Sequence, residues 1–72
     1  MRESLPLLAV VALLEDVPDQ GLRRGQVGTV VEVLADGVYE VEFADDDGRS
    51  FAELALTSEQ LLALYYAPAI AA

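Results

Sequence analysis

An all-β fold of five short strands is predicted by three features of this 72-residue chain. Asp36-Gly37 and Asp47-Gly48 are turn dipeptides that divide its middle into consecutive antiparallel hairpins. Val38-Tyr-Glu-Val-Glu-Phe43 alternates apolar and acidic residues without a break, the period of a half-buried strand. Thr57-Ser-Glu-Gln60 has the form of a capping box, which starts a single turn of helix late in the chain.

The apolar run Leu5 to Leu14 is too short to cross a bilayer, which takes about 20 apolar residues, and no small-residue cleavage signal follows it. It reads as a buried strand, Val10 to Leu14, with a lead-in. Asp16 to Gly25 reads as a long loop carrying Arg23 and Arg24 and closed by Gly21 and Gly25.

The next two strands are Val27 to Leu34 and Val38 to Phe43, both rich in β-branched and aromatic residues. Alternation turns Tyr39, Val41 and Phe43 inward and Val38, Glu40 and Glu42 outward. A two-residue Asp36-Gly37 turn would set Val33 against Glu40 and Val31 against Glu42, burying carboxylates. A three-residue loop, Ala35-Asp36-Gly37 with a left-handed Gly37, instead pairs Val33 with Tyr39, Val31 with Val41 and Thr29 with Phe43. In the following hairpin a tight Asp47-Gly48 turn pairs Phe43 with Ala52, Val41 with Leu54 and Tyr39 with Leu56, and a one-residue slip would turn Glu53 inward.

After the capping box, Leu61 to Tyr66 reads as a last short strand returning to the first, with continuation of the helix as the alternative. Pro68 stops what precedes it, and 67–72 is expected to fray. Five strands with one 3₁₀ turn before the last make an SH3-like small barrel, whose closure would remove exposed edges. The expectation is one domain over 1–72, with its core at about 8–66.

Composition removes whole classes of chemistry. The chain has no histidine, cysteine or lysine, so Ser-His-Asp and Cys-His nucleophiles are impossible, and Ser4, Ser50 and Ser58 have no base of suitable pKa. No catalytic residue, metal site or cofactor is expected, and the chain is read as a non-enzyme. A net charge of −9, from 13 acidic residues against four arginines, repels phosphate backbones and anionic lipid, so neither nucleic acid nor membrane is expected as a partner. A cysteine-free chain fits a cytoplasmic location.

Several residues invite a functional reading. The derived register places Glu32 opposite Glu40 and Glu42 opposite Glu53, gathering four carboxylates on one outer face where a basic protein surface would relieve their repulsion. Tyr65 and Tyr66 cannot both point inward from a strand, so one ring near Leu5 to Leu8 becomes a candidate partner or dimer contact. Asp45-Asp46-Asp47-Gly48 has the look of a calcium loop, but Leu56 stands where a bidentate glutamate belongs, so turn formation explains it. Tyr39 suggests the aromatic cage of Tudor-like barrels, although most of the five aromatics are needed for packing.

Gly21-Leu-Arg-Arg-Gly-Gln-Val-Gly-Thr-Val-Val-Glu-Val-Leu34, Asp36-Gly-Val-Tyr-Glu-Val-Glu-Phe43, Asp47-Gly-Arg49 and Leu61-Leu62 together resemble domain-of-unknown-function family 4926, over about Leu8 to Leu64. The resemblance implies a short bacterial SH3-like domain without assigned activity, and it carries over no catalytic residues. Gly25-Gln-Val-Gly-Thr-Val-Val31 is also similar to the KOW element of ribosomal and transcription proteins, which bind RNA through basic loops; only Arg23, Arg24 and Arg49 are present for that here. The expected function is a non-catalytic protein-interaction module, antidote- or immunity-like in its concrete form, monomeric or weakly dimeric. The alternative is an accessory or structural subunit of a larger enzyme complex.

Overall fold

In the computed structural model, which describes residues 4–65, five strands form one antiparallel sheet: β1 (Val10–Leu13), β2 (Val27–Ala35), β3 (Val38–Ala44), β4 (Ser50–Thr57) and β5 (Leu61–Ala63). Their order across the sheet is β4-β3-β2-β1-β5. The last strand pairs with the first, Val11 opposite Ala63 and Leu13 opposite Leu61, so the strand reading of this segment holds and the helical one does not. The 3₁₀ turn Ser58–Gln60 separates β4 from β5 as expected, with its capping box formed: the Gln60 side-chain carbonyl accepts from the Thr57 amide at 2.8 Å. Tyr66, Pro68 and the expected frayed tail 67–72 lie outside the described residues.

The sheet does not close into the hydrogen-bonded barrel expected, because β4 and β5 are its two edges and do not pair with each other. Chain reach nevertheless forces it to curl. Four residue steps separate Thr57 from Leu61, a span of about 14 Å at most, whereas the outer strands of a flat five-stranded sheet stand about 19 Å apart. Side chains fill the curl: Leu56 at the end of β4 and Leu61 at the start of β5 share one core with Val11, Leu13, Val30, Tyr39, Val41 and Phe43. β5 has only three residues and pairs with β1 alone.

β3 follows its alternation, with Tyr39, Val41 and Phe43 all buried. β2 departs from the expected register. Val33 does pair with Tyr39 and Glu32 with Glu40, but the ladder slips at Val31, so that Val30 faces Val41 and Thr29 faces Glu42. Val30 is therefore the buried valine, while Val33 is half exposed near the sheet's rim. A second slip between Val33 and Ala35 brings Ala35 opposite Val38, leaving Asp36-Gly37 as a two-residue turn rather than the three-residue loop. Gly37 is left-handed, at φ 75°, as that reasoning required.

The second hairpin reverses the error. Phe43 pairs with Ala52, Val41 with Leu54 and Tyr39 with Leu56, but Phe51 is bulged out and Ala44 faces Ser50. The Asp45 and Arg49 backbones then bond, so three residues, 46–48, make the turn, with Gly48 left-handed at φ 81°. The Asp45 carboxylate explains why this turn wins: its Oδ1 accepts from the amides of Asp47 and Arg49, both at 2.9 Å.

The 16–25 connection is more structured than a plain loop. A 3₁₀ turn, Pro18–Gln20, folds it back so that Val17 and Leu22 pair, and Leu22 enters the core at 3% exposure. The lead-in to β1, by contrast, is not buried throughout: Leu5 is half-buried, whereas Leu7 and Leu8 are exposed, Leu8 in a left-handed conformation that non-glycine residues seldom adopt.

Candidate functional site

Alternation along β3 and β4 dictates which side chains reach the outer face of the sheet. With Tyr39, Val41 and Phe43 inside, Glu40 and Glu42 must lie outside, and the β3–β4 register sets Glu42 directly against Glu53. The slip at Val31 restores β2 to phase in time to set Glu32 against Glu40. Four carboxylates thus share one face across three neighbouring strands, as the sequence predicts. Glu32 and Glu53 are exposed; Glu40 and Glu42, on the middle strand, are half-buried.

Glu40 feels this crowding most. Partial burial pushes its carboxyl above the ordinary carboxylate range, and a hydrogen bond with Glu53 and the negative charges of Glu53 and Glu32 push it further in the same direction. No arginine contributes. Glu53 stands diagonally across the ladder from Glu40, since it is Ala55 that faces Glu40 directly, and diagonal neighbours remain within reach of long side chains. When Glu40 holds a proton, the pair is bridged; when it does not, two charges meet.

Tyr65 is 84% exposed and lines an open groove of about 400 Å³ with Leu5, Pro6, Ser58 and Leu61. The sequence therefore foresees the proximity of an exposed tyrosine to the lead-in. Tyr66 falls outside the described residues, so the two tyrosines are not brought together as a pair here. The groove opens on a different part of the molecule from the four glutamates, none of which lines it.

Packing, as expected, rather than an aromatic cage accounts for Tyr39 and Phe43. Tyr39 is 1% exposed and Phe43 wholly buried, and the Tyr39 hydroxyl accepts a hydrogen bond from the Leu5 amide at 3.0 Å. That contact ties the lead-in down onto the core, a role no local pattern announces, because it joins residues 34 apart. Asp45 is engaged in its turn, and among the described residues no group of three or more acidic side chains is arranged to hold a metal ion. Among them, too, no helix is long and apolar enough to cross a membrane.

Sequence reasoning also missed the free edge of β4. Closure of the sheet would have paired it; instead Ser50–Thr57 has a strand partner on one side only, β3.

Residues 7–63 match the family described as "Domain of unknown function (DUF4926)", and the chain belongs to that family. No curated protein and no solved structure matches it.

Proposed function

We propose that this DUF4926 member is a non-catalytic interaction module that receives a basic surface of a partner protein on its outer acidic face. One observation carries the reading: Glu32, Glu40, Glu42 and Glu53 stand in two directly opposed pairs with no arginine among them, so the free protein carries a repulsion that a cationic partner removes. Such a field also speeds encounter with a basic protein. An antidote- or immunity-like role is the concrete form of this proposal, in a cytoplasmic setting.

The strand order β4-β3-β2-β1-β5, the curl of the sheet and the 3₁₀ turn before the last strand support an SH3-like arrangement, a scaffold that serves many unrelated functions. The second reading, an accessory subunit of a larger enzyme, is favoured by exposed Tyr65 beside its groove, where an aromatic anchor would sit.

Affinity capture from the native cell, at low and then high salt, separates the two. The acidic-face reading expects a partner retained at low salt, released by salt, and lost when Glu32, Glu40, Glu42 and Glu53 are all changed to Gln. Equal capture by that variant removes the face from consideration, and loss on Tyr65→Ala instead favours the groove.

A further inference from the structure

The acidic face ends at an edge with which no strand among the described residues pairs. β4 forms hydrogen bonds to β3 on one side, and its other side presents the outward-facing backbone groups of Glu53 and Ala55, while the outward Thr57 amide is taken by the Gln60 side chain. From Ala52 to Thr57 its pairing with β3 is regular, because the bulge at Phe51 is confined to the turn end. Natural edge strands are usually blunted by lysine, proline, a central bulge or extreme shortness. β4 has eight residues, no lysine, no proline and one charged side chain, Glu53. The opposite edge, β5, has three residues and offers far less.

We propose that β4 takes up an extended basic segment of a partner protein as a sixth strand, with apolar and Arg or Lys residues alternating along it. The proposal rests on the acidic-face reading and specifies how the partner is held. A strand added to β4 lies about 4.8 Å away. Every second side chain then falls on the outer face beside Glu53, and the intervening ones fall beside half-buried Ala52 and Leu54 and buried Leu56. Charge selects the occupant. A cation next to Glu53 also reaches towards the Glu42 and Glu40 carboxylates, one strand further in. A second copy of this chain is the poorer fit: two β4 strands joined antiparallel about their centres would set one Glu53 opposite or diagonal to the other, adding like charge where four carboxylates already crowd. Main-chain pairing supplies affinity in such strand addition, and alternate side chains supply the choice of partner.

The test uses the intact protein and a fluorescent (Arg-Val)4 peptide at low salt, with two twins N-methylated at every valine or at every arginine. Each twin keeps the charge and blocks one hydrogen-bonding edge. Strand addition expects one twin to bind at least about tenfold more weakly than the parent, and the parent to slow hydrogen exchange at the outward Glu53 and Ala55 amides of β4. If both twins bind as tightly as the parent, the edge proposal is overturned while the acidic-face reading stands. Failure of every peptide to bind overturns both. Slowed exchange at β4 in the free protein, with dimers in sedimentation, gives the edge to a second copy and also overturns the proposal.

Discussion

Gly28 presses its backbone against the Phe43 ring: a β-carbon built on it would stand 2.8 Å from the Phe43 Cδ1 and Cε1 atoms and the same distance from Val41 Cγ1. Both neighbours are wholly buried and have no room to withdraw. Gly28→Ala is therefore expected to destabilise the fold by about 1–3 kcal/mol through overpacking. Urea unfolding checks this, and an unchanged midpoint would mean that β2 and β3 do not approach so closely.

The slip at Val31 makes two adjacent valines unequal. Val30→Ala removes a fully buried side chain beside Val41 and is expected to cost about 1–3 kcal/mol, while Val31→Ala, at a half-buried site, costs clearly less. The reverse ranking would restore the unbulged register.

Gly37 holds φ at 75°, and the nearest atom to an added β-carbon, Ser58 Oγ, is at an ordinary contact distance of 3.6 Å. Its penalty is thus conformational rather than steric. Gly37→Val is expected to lose about 1 kcal/mol or more, and Gly37→Asn much less, since asparagine tolerates the left-handed region. Equal melting temperatures for the two variants would count against this.

Glu40 gives stability a pH dependence of definite sign. Its folded-state pKa is raised, so the folded chain holds that proton at pH values where the unfolded chain has lost it. The contribution is complete below the unfolded-state pKa and disappears as pH rises through the raised folded-state value. Glu40→Gln, which cannot ionise, is expected to be more stable than the parent near neutral pH, with the difference shrinking on acidification into the carboxylate range. Thermal melts of both proteins over that range test the sign, and a pH-independent difference would exclude it.

Tyr39→Phe keeps the ring in the core and deletes the acceptor for the Leu5 amide. A loss of about 0.5–1.5 kcal/mol is expected. Faster hydrogen exchange at Leu5, with β3 amides unaffected, distinguishes release of the lead-in from general unfolding.

Strong local signals predicted much of this architecture. The alternation of Val38 to Phe43 determined its buried face, and with that face known the opposing pairs Glu32/Glu40 and Glu42/Glu53 followed. Bulges were not legible, because a bulge is settled by both strands at once. Val30 and Val31 are equally good strand residues, and only the need to bring Gly28 under Phe43 and Glu32 back outside decides between them. The Asp45 carboxylate similarly converts the second turn from two residues to three, by supplying acceptors that the dipeptide Asp47-Gly48 does not reveal. Leu22 escaped notice since its burial depends on a fold-back through Pro18–Gln20 rather than on any periodic pattern.

The pairing of Val11 with Ala63 carries a kinetic corollary. The two hairpins that share β3 join segments adjacent in the chain, and such local contacts form quickly. The seam between β1 and β5 joins the first strand to the last and pays the loop-closure entropy of nearly everything between them. Folding should thus be limited by the meeting of those two strands, with the acidic hairpins assembled early and waiting for it.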